Sequence, residues 1–176
     1  MNNKTINPRF IFIFSVIIFG ALMRLIPHWP NFTPIAAMAL FGGAYFNKKH
    51  LAFIVPLMAL FVSDLFLGFH QWMIAVYISF ALVVGIGILL RSRIKVGTVL
   101  LASLSSSLMF FIITNFAMWV GSPFYPQNMG GLIECYVAAL PFLNNGLLGD
   151  LFYSTIFFGG FYLATLKFPV LAKVKS

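Results

Sequence analysis

The side chains able to do chemistry in this chain are few. Only three are acidic, Asp64, Glu134 and Asp150, against eleven Lys and Arg. Asp64, Asp150 and Arg24 stand in or beside long apolar runs. An ionisable group at the centre of a bilayer costs at least about 2.5–3.5 kcal/mol, so one found there has a partner or a function. An arginine in such a place suits a carboxylate or phosphate. Two aspartates there could share a proton and activate water. Uncharged polar groups gather at the same level of the sequence pattern: His28, Asn31 and Thr33, His70 and Gln71, Thr114 and Asn115, and Asn144 and Asn145.

Other chemistries are excluded by what is missing. No Gly-x-x-x-x-G-K-[ST] phosphate loop and no Gly-x-Ser-x-Gly elbow occurs. A single cysteine, Cys135, rules out an intramolecular disulfide and a multi-cysteine zinc site. No metal and no cofactor is expected.

The elements that must position these groups follow from composition. Apolar residues make up 61% of the 176 and charged residues 8%, with mean hydropathy +1.01. A soluble domain carries about 25% charged residues, so most of this surface must meet lipid. A span needs roughly 20 apolar residues, and six candidates appear: 10–26, 32–46, 51–69, 72–90, 96–120 and 144–166. The second is short for a full span, being bracketed by Pro30 and Pro34 and ended by Asn47-Lys48-Lys49-His50. The expected class is all-α, a single polytopic membrane domain built as a six-transmembrane-helix bundle. The first apolar run lacks a small-x-small cleavage site and reads as a retained helix.

Charge fixes the expected topology. Lys4, Arg9, Lys48, Lys49, Arg91, Arg93, Lys95, Lys167, Lys173 and Lys175 all fall at one end of this six-helix arrangement. The positive-inside rule makes that end cytoplasmic, with both termini there. Trp29, Trp72 and Trp119 fall at the opposite interface. The basic residues make no continuous basic surface, so nucleic acid is not an expected partner; the lipid bilayer is.

Arg24, Asp64, Glu134 and Asp150 then share the outer third with the uncharged polar groups, while the inner halves of the helices are almost purely apolar. That asymmetry describes an outward-open pocket rather than a channel, with Arg24, His28, Asn31, Asp64, Asn115, Asn144, Asn145 and Asp150 as candidate ligands to a small molecule. The competing explanation pairs Arg24 with Asp64 or Asp150 merely to hold helices together. Residues 121–143 form the longest outer connection. Within it 132–140 has helical apolar spacing, expected as an interfacial helix or lid that Pro141 separates from the last span. Ala36, Ala37, Ala39, Gly42, Gly43 and Ala44 make the second helix smooth, for internal packing or for docking a partner.

Arg24-Leu25-Ile26-Pro27-His28-Trp29-Pro30-Asn31-Phe32-Thr33-Pro34, Ser63-Asp64, Thr114-Asn115-Phe116 and Gly146-Leu147-Leu148-Gly149-Asp150 carry a resemblance. The chain resembles the substrate-binding S components of energy-coupling-factor (ECF) transporters, and more closely a family of small bacterial transport proteins related to them. The resemblance implies a bacterial inner-membrane location and six helices. It implies a vitamin-like substrate taken from outside under outer loops (27–34 with 121–140), and partnership with a coupling membrane subunit and ATPases. No catalytic residue is expected. One alternative is an intramembrane aspartyl protease using Asp64 and Asp150, because Gly149-Asp150 resembles the end of a Gly-x-Gly-Asp motif whose first glycine is here a leucine. The other is a non-catalytic membrane assembly subunit.

Overall fold

Proline, glycine and asparagine set the helix boundaries. The structure, a computed structural model, describes residues 7–172, so Lys4, Lys173 and Lys175 lie outside the described residues. Regular structure among these residues is helical throughout, in the order α1 (Pro8–Met23), α2 (Ile35–Tyr45), α3 (Lys49–Leu67), α4 (Met73–Leu90), α5 (Val96–Gly121) and α6 (Met129–Ser154). A π-helical turn (Thr155–Gly159) carries α6 into α7 (Gly160–Lys167) without a break. Asn7 opens α1, its side chain accepting from Arg9 N at 3.0 Å with Pro8 as the first helical residue. Asn128 opens α6 in the same way, accepting from Gly131 N at 2.9 Å. Gly68, at φ 91°, ends α3, a conformation other residues rarely adopt.

Four stretches are long and apolar enough to cross a membrane: α3, α4, α5 and the 39 residues of Met129–Lys167. α1 and α2 are shorter apolar helices. The short α2 is the centre of the molecule. Every residue from Ala36 to Ala44 is buried, and α1, α3, α4, α5 and α6 all pack on it. A helix apolar on every side belongs inside, and here the inside is protein. Ile13 and Ile17 of α1, Leu60 of α3, Phe80, Val83 and Val84 of α4 and Phe157 of the π turn close around Met38, Leu40 and Phe41. The smooth face of α2 is thus consumed within the chain.

Pro141 does not separate two helices. It lies inside α6, where it removes one backbone hydrogen bond. Its neighbours stay helical because they have a partner: Tyr136 Oη donates to Ile112 O at 2.6 Å, and α6 runs antiparallel along α5. Residues 132–140 belong to the N-terminal part of this long helix and not to a separate one. The turn before it is tied as well, Trp119 Nε1 donating to Pro126 O at 2.9 Å and Gln127 Nε2 to Trp119 O at 2.6 Å.

One end of the bundle gathers the described basic residues other than Arg24. Arg91 Nε donates to Gly43 O at 2.8 Å and its Nη1 to Asn47 O at 3.2 Å, satisfying carbonyls at the C-terminus of α2. Arg9 Nη1 donates to Leu171 O at 2.7 Å. The candidate site lies at the other end.

Candidate functional site

Arg24 follows the last turn of α1, which the coming Pro27 forbids to continue. Its Nη1 donates to Asp64 Oδ1 and to Ser63 Oγ, each at 2.5 Å. Tyr77 of α4 donates to the other oxygen of Asp64 at 2.8 Å. Asp64 is only 2% exposed. So α1, α3 and α4 are joined by one arginine, one carboxylate and one phenol. Nε and Nη2 of Arg24 have no hydrogen-bond partner among the described residues and remain accessible.

The chain then folds back as a proline-rich loop. Asn31 takes a positive φ of 62°, which asparagine tolerates better than most residues. His28 Nδ1 donates to Ile26 O at 2.6 Å. The loop is fastened to α6: Asn145 Nδ2 donates to Pro30 O at 3.0 Å, and a Cβ added at Gly149 would lie 3.0 Å from Phe32 Cα and 3.1 Å from Thr33 N. Glycine at 149 therefore lets the loop backbone lie against the helix.

One residue beyond Gly149 comes Asp150, 7% exposed. Ser107 of α5 donates to its Oδ2 at 2.6 Å. Its Oδ1 has no partner among the described residues and is not fully enclosed. Ser103 and Ser154 lie 3.3 Å apart one turn deeper on the same two helices. Asp64 and Asp150 share no hydrogen bond and are held by different helices.

Between these groups lies a cavity of about 540 Å³. Arg24, His28, Asn31 and Thr33 line one part of it, His70, Trp72 and Val76 another, and Gly146 and Asp150 a third. Ser107, Phe110, Phe111, Thr114, Asn115 and Met118 line a fourth part from α5, their spacing being that of one helix face. Among the expected ligands, Arg24, His28, Asn31, Asn115 and Asp150 are on its wall. Asp64 is behind Arg24, Asn145 is spent on the loop, and the exposed Asn144 is not on the wall. Arg24 pairs with Asp64 and not with Asp150. Nor does the expected lid of 121–140 have the form of a loop, since 129–140 belong to α6.

The sequence reading missed Ser107, Tyr77 and the rings of Phe110 and Phe111. For Ser107 a signal existed. Ser103, Ser105, Ser106 and Ser107 form a polar interruption in an apolar span, just before the middle of α5.

A family model matches residues 4–171 and is described as a family of unknown function, DUF6580. The chain belongs to the DUF6580 family. The matched stretch takes in every described helix of this DUF6580 protein and every residue on the cavity wall. Comparison with curated proteins and with solved structures gave no match. Among the described residues no group of three His, Cys, Asp or Glu side chains could hold a metal ion.

Proposed function

We propose that this DUF6580 protein is a six-helix, multi-pass protein of a bacterial inner membrane that binds a small, vitamin-like metabolite from the outer side for uptake. The observation carrying this reading is the cavity of about 540 Å³ whose wall holds Arg24 and Asp150. A volume of roughly 300–1,000 Å³, mostly apolar with few polar groups, is what small-molecule sites have. Its position supports the direction: it is at the end of the bundle opposite Arg9, Arg91 and the described lysines, hence on the outer side by the positive-inside rule. The lipid-facing exterior is supported by outward-pointing apolar side chains such as Ile54, Phe66, Ile74, Leu89 and Leu101. Both termini are then cytoplasmic.

The resemblance to S components supplies the rest of the proposal. A coupling membrane subunit with ATPases would drive release, since the chain has no phosphate loop of its own. The protease alternative gains no support from the site, because a proton-sharing pair needs its two carboxyls in contact and these are engaged separately by Arg24 with Tyr77 and by Ser107.

The experiment is ligand binding by the purified chain across a panel of vitamins and related metabolites, beside a variant with the cavity filled. Gly146 lines the cavity and an added Cβ there has no neighbour closer than 3.9 Å, so Gly146→Phe should fold and abolish binding. Binding that survives this variant undiminished would remove the cavity as the site.

A further inference from the structure

We infer that the cavity selects an organic cation, a small molecule whose protonated amine sits against Asp150 Oδ1 and whose apolar body lies among aromatic rings. The inference rests on the cavity being a ligand site and adds the substrate's chemical class.

Charge accounting on the wall leads to it. Besides His28 and His70, two ionisable side chains line the cavity, Arg24 and Asp150. The charge of Arg24 is already met by Asp64, the one ion pair among the described residues. Asp150 has only a neutral hydroxyl, that of Ser107, on one oxygen. The other oxygen is accessible and unpartnered. A carboxylate held in so apolar a place is stabilised by an opposite charge, and no basic side chain among the described residues pairs with it. Its surroundings match a cation in a second way. Trp72, Phe110, Phe111 and Phe142 line the same cavity, and the negative faces of aromatic rings attract cations. A metal ion is the wrong cation for this wall, since hard cations need several oxygen ligands and no cluster of three ligating side chains is present among the described residues. The free Nε and Nη2 of Arg24 can still donate to an acceptor at the far end of the same molecule.

Three probes of one shape separate charge from fit: 2-phenylethylamine, 2-phenylethanol and phenylacetate. Binding to the full chain in detergent is measured by calorimetry and by the shift in Tm. The amine should bind at least about tenfold more tightly than the alcohol, and the carboxylate weakest. In Asp150→Asn, which can still accept from Ser107, the preference for the amine should disappear. Ser107→Ala should keep it, because the charge remains. If Asp150→Asn fails to fold, the order of the three probes on the unaltered chain decides. Equal or tighter binding of the alcohol or carboxylate, lost in Gly146→Phe, would overturn the amine and leave the metabolite-binding reading standing. Amine preference persisting in Asp150→Asn would overturn the assignment to Asp150. No binding by these probes or by the metabolite panel would overturn both readings together.

Discussion

Gly43 of α2 and Gly87 of α4 lie back to back, each placed where a Cβ would strike the other helix's backbone. A Cβ at Gly43 would fall on Val84 O and come within 2.9 Å of Gly87 Cα; one at Gly87 would fall on Leu40 O and come within 2.9 Å of Gly43 Cα. Neither helix can yield by turning a side chain, since the obstruction is main chain. Gly43→Ala and Gly87→Ala should each destabilise the protein by about 1–3 kcal/mol, the ordinary cost of overpacking. Gly85 provides the comparison, having open space at its Cβ position, so Gly85→Ala should be neutral or mildly stabilising. Thermal unfolding of the three variants in one detergent would test this. Equal Tm values for Gly87→Ala and Gly85→Ala would contradict the close crossing of α2 and α4.

The Arg24–Asp64–Tyr77 connection makes a different kind of prediction. Asp64→Asn leaves a guanidinium with 11% exposure facing a neutral group, and breaking a buried pair from one side costs about 3–5 kcal/mol. Tyr77→Phe removes one hydrogen bond to the carboxylate, worth about 1.5–3 kcal/mol. The double variant Arg24→Met with Asp64→Leu should be less destabilised than Asp64→Asn alone, because no charge is stranded. Chemical denaturation of the three variants measures the order. With Arg24→Met and Asp64→Leu also measured singly, a double variant that loses the sum of those two losses would show that the pair does not act as a unit.

How much of this was legible beforehand can be argued from a few residues. Gly68 fell inside the expected span 51–69 and Asn128 in the expected turn, although they cap α3 and α6, whereas the end of the first helix was readable before Pro27, where local chemistry decides it. Burial of α2 was not, because a run apolar on all sides looks the same whether lipid or protein meets it, and hydropathy cannot tell Ala39 in a core from Leu89 on the exterior. Pro141 misled for a related reason. The local rule says that proline ends a helix, and it was overridden by the pairing of 129–140 with α5, which sequence spacing does not reveal. For the site, the polar types were legible and the partners were not. Arg24 had two carboxylates to choose from, forty and 126 residues away, and only packing selects Asp64. Ser107 meets Asp150 across 43 residues, a contact that no local pattern signals.

Continuity of α6 through Pro141 has its own measurable consequence. Proline inside a helix leaves one carbonyl without its donor and costs about 3 kcal/mol relative to alanine in an unperturbed helix. Pro141 is exposed, and it is not on the cavity wall. Pro141→Ala should therefore raise Tm, by an amount corresponding to about 1–3 kcal/mol after adaptation of the native helix. Had Pro141 marked a break between two segments, alanine would gain nothing and Tm would stay or fall. Helical content from far-UV circular dichroism should not change beyond error.

Orientation in the membrane is tested through the single thiol. Cys135 is buried and its Sγ lies 3.6 Å from Asn115 O, so Cys135→Ala gives a background without reactive cysteine at small cost. Into it, Gln127→Cys and Arg93→Cys place one thiol at each end of the bundle, both on exposed positions. Ten of the eleven basic residues, Arg93 among them, fall at that end in the sequence pattern, which is the cytoplasmic end under the proposed orientation. A membrane-impermeant maleimide added to intact cells should label Gln127→Cys and spare Arg93→Cys until the membrane is permeabilised. The reverse pattern would turn the cavity toward the cytoplasm, and uptake through an outward-facing site would fall with it. Labelling of both positions in intact cells, at equal rates, would mean dual insertion, and the charge asymmetry would then not govern this chain.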